Sequence, residues 1–137
     1  MEKIKEAMTA NPRTVTADST VAEAARLMRD EDAGIIPIIE GERLVGVVTD
    51  RDIAIKVAAE GKDAQSTKVS EIAASNLVTI DPQQDLDEAL KLMAKHQVRR
   101  LPVVEEDGKL VGILAQADVA RHADPERTGK VVEEISE

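Results

Sequence analysis

Self-similarity is the feature that most constrains this chain. The stretch Val21 to Met28 (VAEAARLM) matches Leu86 to Met93 (LDEALKLM) in spacing, apolar pattern and several identities, at an offset of 65 residues. The same offset carries Ile35 to Ile39 (IIPII) onto Arg100 to Val104 (RLPVV). One inserted residue later, Leu44 to Val48 (LVGVV) falls on Leu110 to Leu114 (LVGIL), and Asp52 on Asp118. Val15-Thr16 is echoed by Val78-Thr79, so the repeat covers nearly the whole chain. Its seam lies in the polar stretch Glu60 to Thr67, which has no apolar periodicity, and the sequence divides into residues 1–66 and 67–137. A unit of roughly 60 residues cannot bury both faces of a sheet alone, which predicts that the two copies pack against each other.

Each copy reads alike. Val21, Ala24, Ala25 and Met28, like Leu86, Ala89, Leu90 and Met93, take the i, i+3, i+4, i+7 spacing of one helix face, with Asp and Thr or Gln ahead as start signals. Ile35 to Ile39 and Leu44 to Val48 are rich in β-branched residues and separated by Gly41-Glu42-Arg43, which predicts adjacent strands joined by a tight turn. The second copy repeats this around Asp107-Gly108. Thr49 to Ala59 opens with capping residues and continues with good helix formers. The order in each copy is therefore short strand, helix, strand, strand, helix, an α+β protein. Val131, Val132 and Ile135 give residues 125–137 the apolar stripe of a last helix, and Ile4 and Met8 do the same for residues 1–8.

Composition narrows the function classes. The 137 residues are 42% hydrophobic and 33% charged, enough for a packed core. The absence of Cys removes disulfides, thiolate nucleophiles and the commoner zinc sites, and two His, His96 and His122, leave few nitrogen ligands, so no metal is expected. No apolar run reaches the length of a bilayer span, and charges at Glu2, Lys3, Lys5 and Glu6 replace a secretory apolar core, so a soluble, cytoplasmic protein without membrane contact is expected. The net charge of -9 and the lack of Phe, Tyr and Trp argue against a nucleic-acid partner. A small anion needs a local basic cluster, and Arg99-Arg100 is one.

Several of these motifs occur together. Apolar strands carry Pro37 and Pro102 at their centres, and Leu-Val-Gly opens each following strand. Met8-Thr9 is followed by Pro12 and Thr14-Val15, and Gly46-Val-Val-Thr-Asp-Arg-Asp52 leads into the last helix of the first copy. Together these resemble the CBS domain, the module named after cystathionine β-synthase, over essentially all of the chain. The paired arrangement resembles a Bateman module. His96-Gln-Val-Arg-Arg-Leu-Pro-Val-Val104 with Ala117-Asp-Val-Ala-Arg-His122 is most similar to small stand-alone two-CBS proteins, including the hypoxic response type. The resemblance implies two β-α-β-β-α repeats packed sheet to sheet with pseudo-two-fold symmetry, no attached catalytic domain and assembly as a homodimer. It also implies no required cofactor, and a regulatory adenosine ligand (AMP, ADP or ATP, in some members S-adenosylmethionine or NAD) in the cleft between the repeats.

The residues permit a physical test of that implication. Asp52, in the first turn of a helix, can accept two hydrogen bonds from vicinal ribose hydroxyls, and Thr49 supplies a hydroxyl beside a helix N-terminus that favours phosphate. The same residues also fit a plain helix start, with Thr49 or Asp50 as cap and Asp52 as a first-turn acid. Adjacent Arg99 and Arg100 point to opposite faces of a strand, so at most one serves a given pocket directly. The resemblance implies that basic residues here reach the phosphates of the nucleotide whose ribose is held by the other repeat, joining Arg99 and Arg100 to Thr49 and Asp52. A solvated or salt-bridged pair is the alternative. For the base, family position points to Met8, Thr14, Ile35, Ile36 and Pro37, with plain core as the other reading of Met8 and Ile36. Without aromatic stacking, micromolar binding is expected, about -8 kcal/mol.

The two clefts are unequal. Ala115 stands where the first copy has Thr49, and Gly34 and Ile35 are uncharged at the positions reciprocal to the Arg pair. The second cleft, with Val78, Leu101, Pro102 and Asp118, is then empty, structural or suited to a less charged adenosine compound. Arg121 and His122 complement the dipole at the end of the last helix of the second copy, and His96 ends the helix begun near Gln84. Neither His has a nucleophile beside it in sequence pattern, so no enzyme is expected. Three readings follow: a non-catalytic energy-sensing module that acts on a regulated protein, a scaffold that kept the fold without the ligand, and an enzyme, which lacks an evident base or metal.

Overall fold

The computed structural model describes residues 2–74 and 76–122, and the helix expected over 125–137 lies outside them. In chain order the elements are α1 (Ile4–Ala7), β1 (Thr9–Ala10), α2 (Val21–Glu31), β2 (Ile35–Glu40), β3 (Arg43–Thr49) and α3 (Asp50–Ile53), which runs into a π-helical turn (Ala54–Ala58). A 3₁₀ turn (Val69–Glu71), α4 (Leu86–His96), β4 (Arg100–Val104), β5 (Leu110–Ala115) and α5 (Gln116–His122) follow. Among the described residues no helix is long and apolar enough to cross a membrane.

In space the chain divides elsewhere than at the sequence seam between residues 66 and 67. Pro12–Leu77 form one compact unit, and the residues up to Asn11 join those from Val78 onward in the other. In the first unit β2 and β3 form an antiparallel hairpin running from Ile35 opposite Thr49 to Glu40 opposite Arg43. The turn between them has Gly41 at φ 65, a conformation that glycine enters without a Cβ penalty. Helix α2 starts where the Thr20 hydroxyl accepts the Glu23 N–H at 3.2 Å, and it buries Val21, Ala24 and Met28 against Ile36, Ile38, Val48, Val57, Val69 and Ile72. The seam, polar as it reads, is not a free linker. The Val21 N–H donates to the Thr67 carbonyl at 2.8 Å and the Ala22 N–H to that of Ala64 at 3.0 Å, satisfying the open amides of the α2 N-terminus.

In the second unit the sheet order is β1-β5-β4, with β4 and β5 antiparallel from Arg100 opposite Ala115 to Val104 opposite Leu110. The residues up to Asn11 supply β1, pairing Thr9 with Ile113 and Ala10 with Gly112, and they insert Ile4 and Ala7 among Leu86, Ala89, Leu90, Met93, Leu101, Val103, Leu114 and Val119. The first unit has a counterpart to this. Val47 and Ala74 exchange backbone hydrogen bonds of 3.2 and 3.1 Å, so the segment leading into the second copy packs on the hairpin of the first. Each copy's leading segment thus completes the other copy's unit, an arrangement invisible in local patterning because the partners are far apart in sequence.

The entry strand of each copy is a single parallel bridge. Val15 donates to the Pro37 carbonyl at 3.0 Å and accepts from the Ile39 N–H at 2.9 Å, and Ile80 donates to Pro102 at 3.1 Å and accepts from Val104 at 2.9 Å. Ile80 is therefore the repeat of Val15. The sequence match of Val15-Thr16 to Val78-Thr79 is corrected by two residues, because it followed the identity of a dipeptide instead of the 65-residue offset kept by the α2 and β2 stretches that follow it.

Candidate functional site

The junction of β3 and α3 holds Thr49 and Asp52 in a reciprocal arrangement. The Asp52 N–H donates to the Thr49 hydroxyl at 3.1 Å and the Thr49 N–H donates to Asp52 Oδ2 at 3.0 Å, a capping box. The helix-start reading of these residues is correct, and it does not exhaust their chemistry. The Thr49 O–H remains a donor. Each Asp52 oxygen has two lone pairs, and one on Oδ2 serves the Thr49 amide while one on Oδ1 faces Lys56 Nζ at 3.2 Å. The carboxylate is 16% exposed, so a remaining lone pair on each oxygen suits a pair of vicinal hydroxyls.

Lys56 was not singled out by sequence reading, although its i+4 spacing from Asp52 was there to be read. It also donates to the Ile72 carbonyl at 3.0 Å. The helix expected from Thr49 to Ala59 is regular only through Ile53, and the following turn is π-helical, with the Ala59 N–H reaching the Ala54 carbonyl at 2.9 Å.

The β5 and α5 junction repeats this with different residues. Asp118, buried, accepts the Ala115 N–H at 2.9 Å, and Ala115 has no hydroxyl to return. Arg121, read from sequence as a dipole partner, instead pairs with Asp118, and His122 Nδ1 lies 2.6 Å from Glu2 Oε2. The carbonyl of Arg99 accepts the Gln116 N–H at 2.8 Å just as that of Gly34 accepts the Asp50 N–H at 2.9 Å, and Arg100 faces Ala115 as Ile35 faces Thr49. The two Arg thus occupy the positions that Gly34 and Ile35 occupy in the first copy. Both are exposed, and among the described residues neither guanidinium makes a hydrogen bond or ion pair. The Gln116 side-chain amide nitrogen is buried without a hydrogen-bond partner.

Of the residues expected around a nucleotide, Thr14, Ile35, Ile36, Pro37, Thr49 and Asp52 belong to the 12–77 unit. Met8, Arg99 and Arg100 belong to the other, as do Val78, Leu101, Pro102 and Asp118. Ile36 and Leu101 are core residues, 2% and 0% exposed. Met8 is packed against Gly112 and the core of its own unit. Among the described residues, no three His, Cys, Asp or Glu side chains gather as a metal site. A cavity of about 550 Å³ at the β4–β5 turn is lined by Asp81, Pro82, Gln83, Glu105, Glu106 and Asp107, a wall of carboxylates that repels phosphate.

A sequence profile of the CBS domain matches residues 4–59 and 69–124. The chain belongs to the CBS-domain family. CBS domain-containing protein YhcV of Bacillus subtilis is 45% identical over 120 residues, covering 88% of this chain and 84% of YhcV. Hypoxic response protein 1 of Mycobacterium tuberculosis is 40% identical over 123 residues, covering 89% of this chain and 85% of that protein. The crystal structure of Hypoxic Response Protein I, which has two coordinated zinc ions, superposes with a TM-score of 0.81 at 39% identity over 90% of this chain and 100% of that one. CBSX2 in complex with AMP gives a TM-score of 0.77 at 27% identity, covering 89% and 96% of the two chains. The CBS domain pair of MJ0100, in complex with 5′-methylthioadenosine and S-adenosylmethionine, gives 0.80 at 27% identity, covering 89% and 95%. The fold that the resemblance implies, α+β with two CBS repeats, is the fold found.

Proposed function

We propose that this CBS pair is a non-catalytic regulatory module that binds an adenine nucleotide through Thr49 and Asp52. The observation that carries the reading is the Asp52 carboxylate, fixed by the Thr49 amide on one oxygen and by Lys56 on the other, with lone pairs left for a ribose diol. The guanidiniums of Arg99 and Arg100, which make no hydrogen bond or ion pair among the described residues, supply the positive charge that phosphates need in a chain of net charge -9. Family resemblance assigns them to the nucleotide whose ribose Asp52 holds. Thr14, Ile35 and Pro37 form the wall for the base, and occupancy is passed on to a regulated protein through packing of homodimeric modules. Solved relatives that hold AMP, or S-adenosylmethionine with 5′-methylthioadenosine, support the ligand class.

A second reading, a ligand-free scaffold, is favoured for the other junction, where Ala115 has no hydroxyl and Arg121 occupies Asp118. The test uses calorimetric titration with AMP and with ATP. The full chain is expected to bind in the micromolar range, about -8 kcal/mol, and Asp52→Ala to lose that binding. Because the chain has no Phe, Tyr, Trp or Cys, an adenine absorption band in the purified protein reports bound ligand directly. Equal binding by the wild type and Asp52→Ala overturns the assignment, as does the absence of binding at millimolar AMP and ATP.

A further inference from the structure

The cation beside Asp52 adds a property that the ribose contact alone does not explain. Lys56 Nζ lies 3.2 Å from Asp52 Oδ1 and donates to the Ile72 carbonyl at 3.0 Å, while its side chain is 48% exposed. The Ile72 side chain is 2% exposed, so that carbonyl belongs to a fixed turn and tethers the ammonium. An ammonium has three protons, and these two contacts use two. The third is left for an oxygen of whatever Asp52 binds. Asp50 and Arg51 flank the site on α3, with the Asp50 carboxylate turned to the Arg51 N–H at 2.8 Å.

An unpaired carboxylate under a ribose sets a negative charge one sugar ring from the 5′ substituent. It therefore attracts a sulfonium and repels a phosphate. A tethered ammonium beside it cancels that field. Resting on the nucleotide reading of this site, we infer that Lys56 is its selectivity residue, tuning the Asp52 pocket toward 5′-phosphorylated adenosine and away from cationic S-adenosylmethionine. The tether distinguishes it from an ordinary surface pair, because Lys56 is held at the carboxylate by a backbone acceptor 16 residues away in sequence. The residue-by-residue equivalent of Asp52 in the second copy, Asp118, is paired by Arg121 at i+3.

The test titrates the full-length wild type, Lys56→Met and Lys56→Arg with AMP, adenosine and S-adenosylmethionine. Lys56→Met is expected to weaken AMP about tenfold more than it weakens adenosine, and to shift preference toward S-adenosylmethionine. Lys56→Arg is expected to retain the AMP preference, which separates charge from side-chain shape. An AMP-to-adenosine ratio unchanged in Lys56→Met overturns the inference, and so does an equal loss for both ligands, which marks a structural role. Failure of the wild type to bind any of the three removes the nucleotide reading itself, and this inference with it. Wild-type binding with an unchanged ratio removes only the role of Lys56.

Discussion

Gly46 and Gly112 occupy the same place in the two hairpins, and each lies under a carbonyl of the segment that crosses it. A Cβ on Gly46 would stand 3.3 Å from the Ala74 carbonyl oxygen. One on Gly112 would stand 2.9 Å from that of Thr9 and would also collide with Met8 Sδ. The Leu-Val-Gly motif is therefore a docking requirement of the exchanged segments, with no demand on φ. Gly112→Ala is expected to destabilise the protein by about 1–3 kcal/mol, since backbone has to move, and Gly46→Ala by less. Urea denaturation followed by far-ultraviolet circular dichroism measures both. The reverse order of the two variants would remove this account of the motif.

At the scale of elements, α2 and α4 are repeats of one another with different starts. The Thr20 hydroxyl caps α2, whereas Asp85 at the start of α4 makes no side-chain cap and instead faces Lys3 at 3.6 Å in a half-exposed pair. Thr20→Ala is expected to cost about 1 kcal/mol, and Asp85→Ala clearly less, as measured by the shift in denaturation midpoint. Both helices were legible in the sequence because their apolar stripe is local: Val21, Ala24 and Met28, and Leu86, Ala89, Leu90 and Met93, are buried as the spacing predicts. The hairpins were legible for the same reason, down to the uncharged Gly34 and Ile35 at the positions equivalent to the Arg pair. The leading segments were not, since Thr9 finds Ile113 and Ala74 finds Val47 through contacts that no short window contains. At the site, Thr49 and Asp52 could be read from their spacing, as could the i+4 step to Lys56, whereas the tether of Lys56 to the Ile72 carbonyl needed the third dimension. The π-helical turn leaves no mark in Ala-Ile-Lys-Val-Ala, which reads as ordinary helix.

At the scale of the whole molecule, neither sequence copy is a structural unit by itself. Removing residues 1–11 strips β1 from the sheet and takes the fully buried Ile4 out of the core of the second unit, a loss of about 2–3 kcal/mol from that side chain alone. The truncated chain is expected to lose hydrogen-exchange protection at Leu110–Ala115 while keeping it in the β2–β3 hairpin, where the Ala74 bridge is untouched. Equal loss in both hairpins would contradict the division into units. The exchange also sets a timetable. On the ribosome, residues 2–11 emerge before β5 exists, and at cellular elongation rates they wait on the order of ten seconds for Leu110–Ala115 to follow. Pro12–Leu77 can close in that interval with everything they need. The waiting segment carries Glu2, Lys3, Lys5 and Glu6 around its single buried isoleucine, a charge density that keeps a short unpaired piece of chain from joining its neighbours before its own strand arrives.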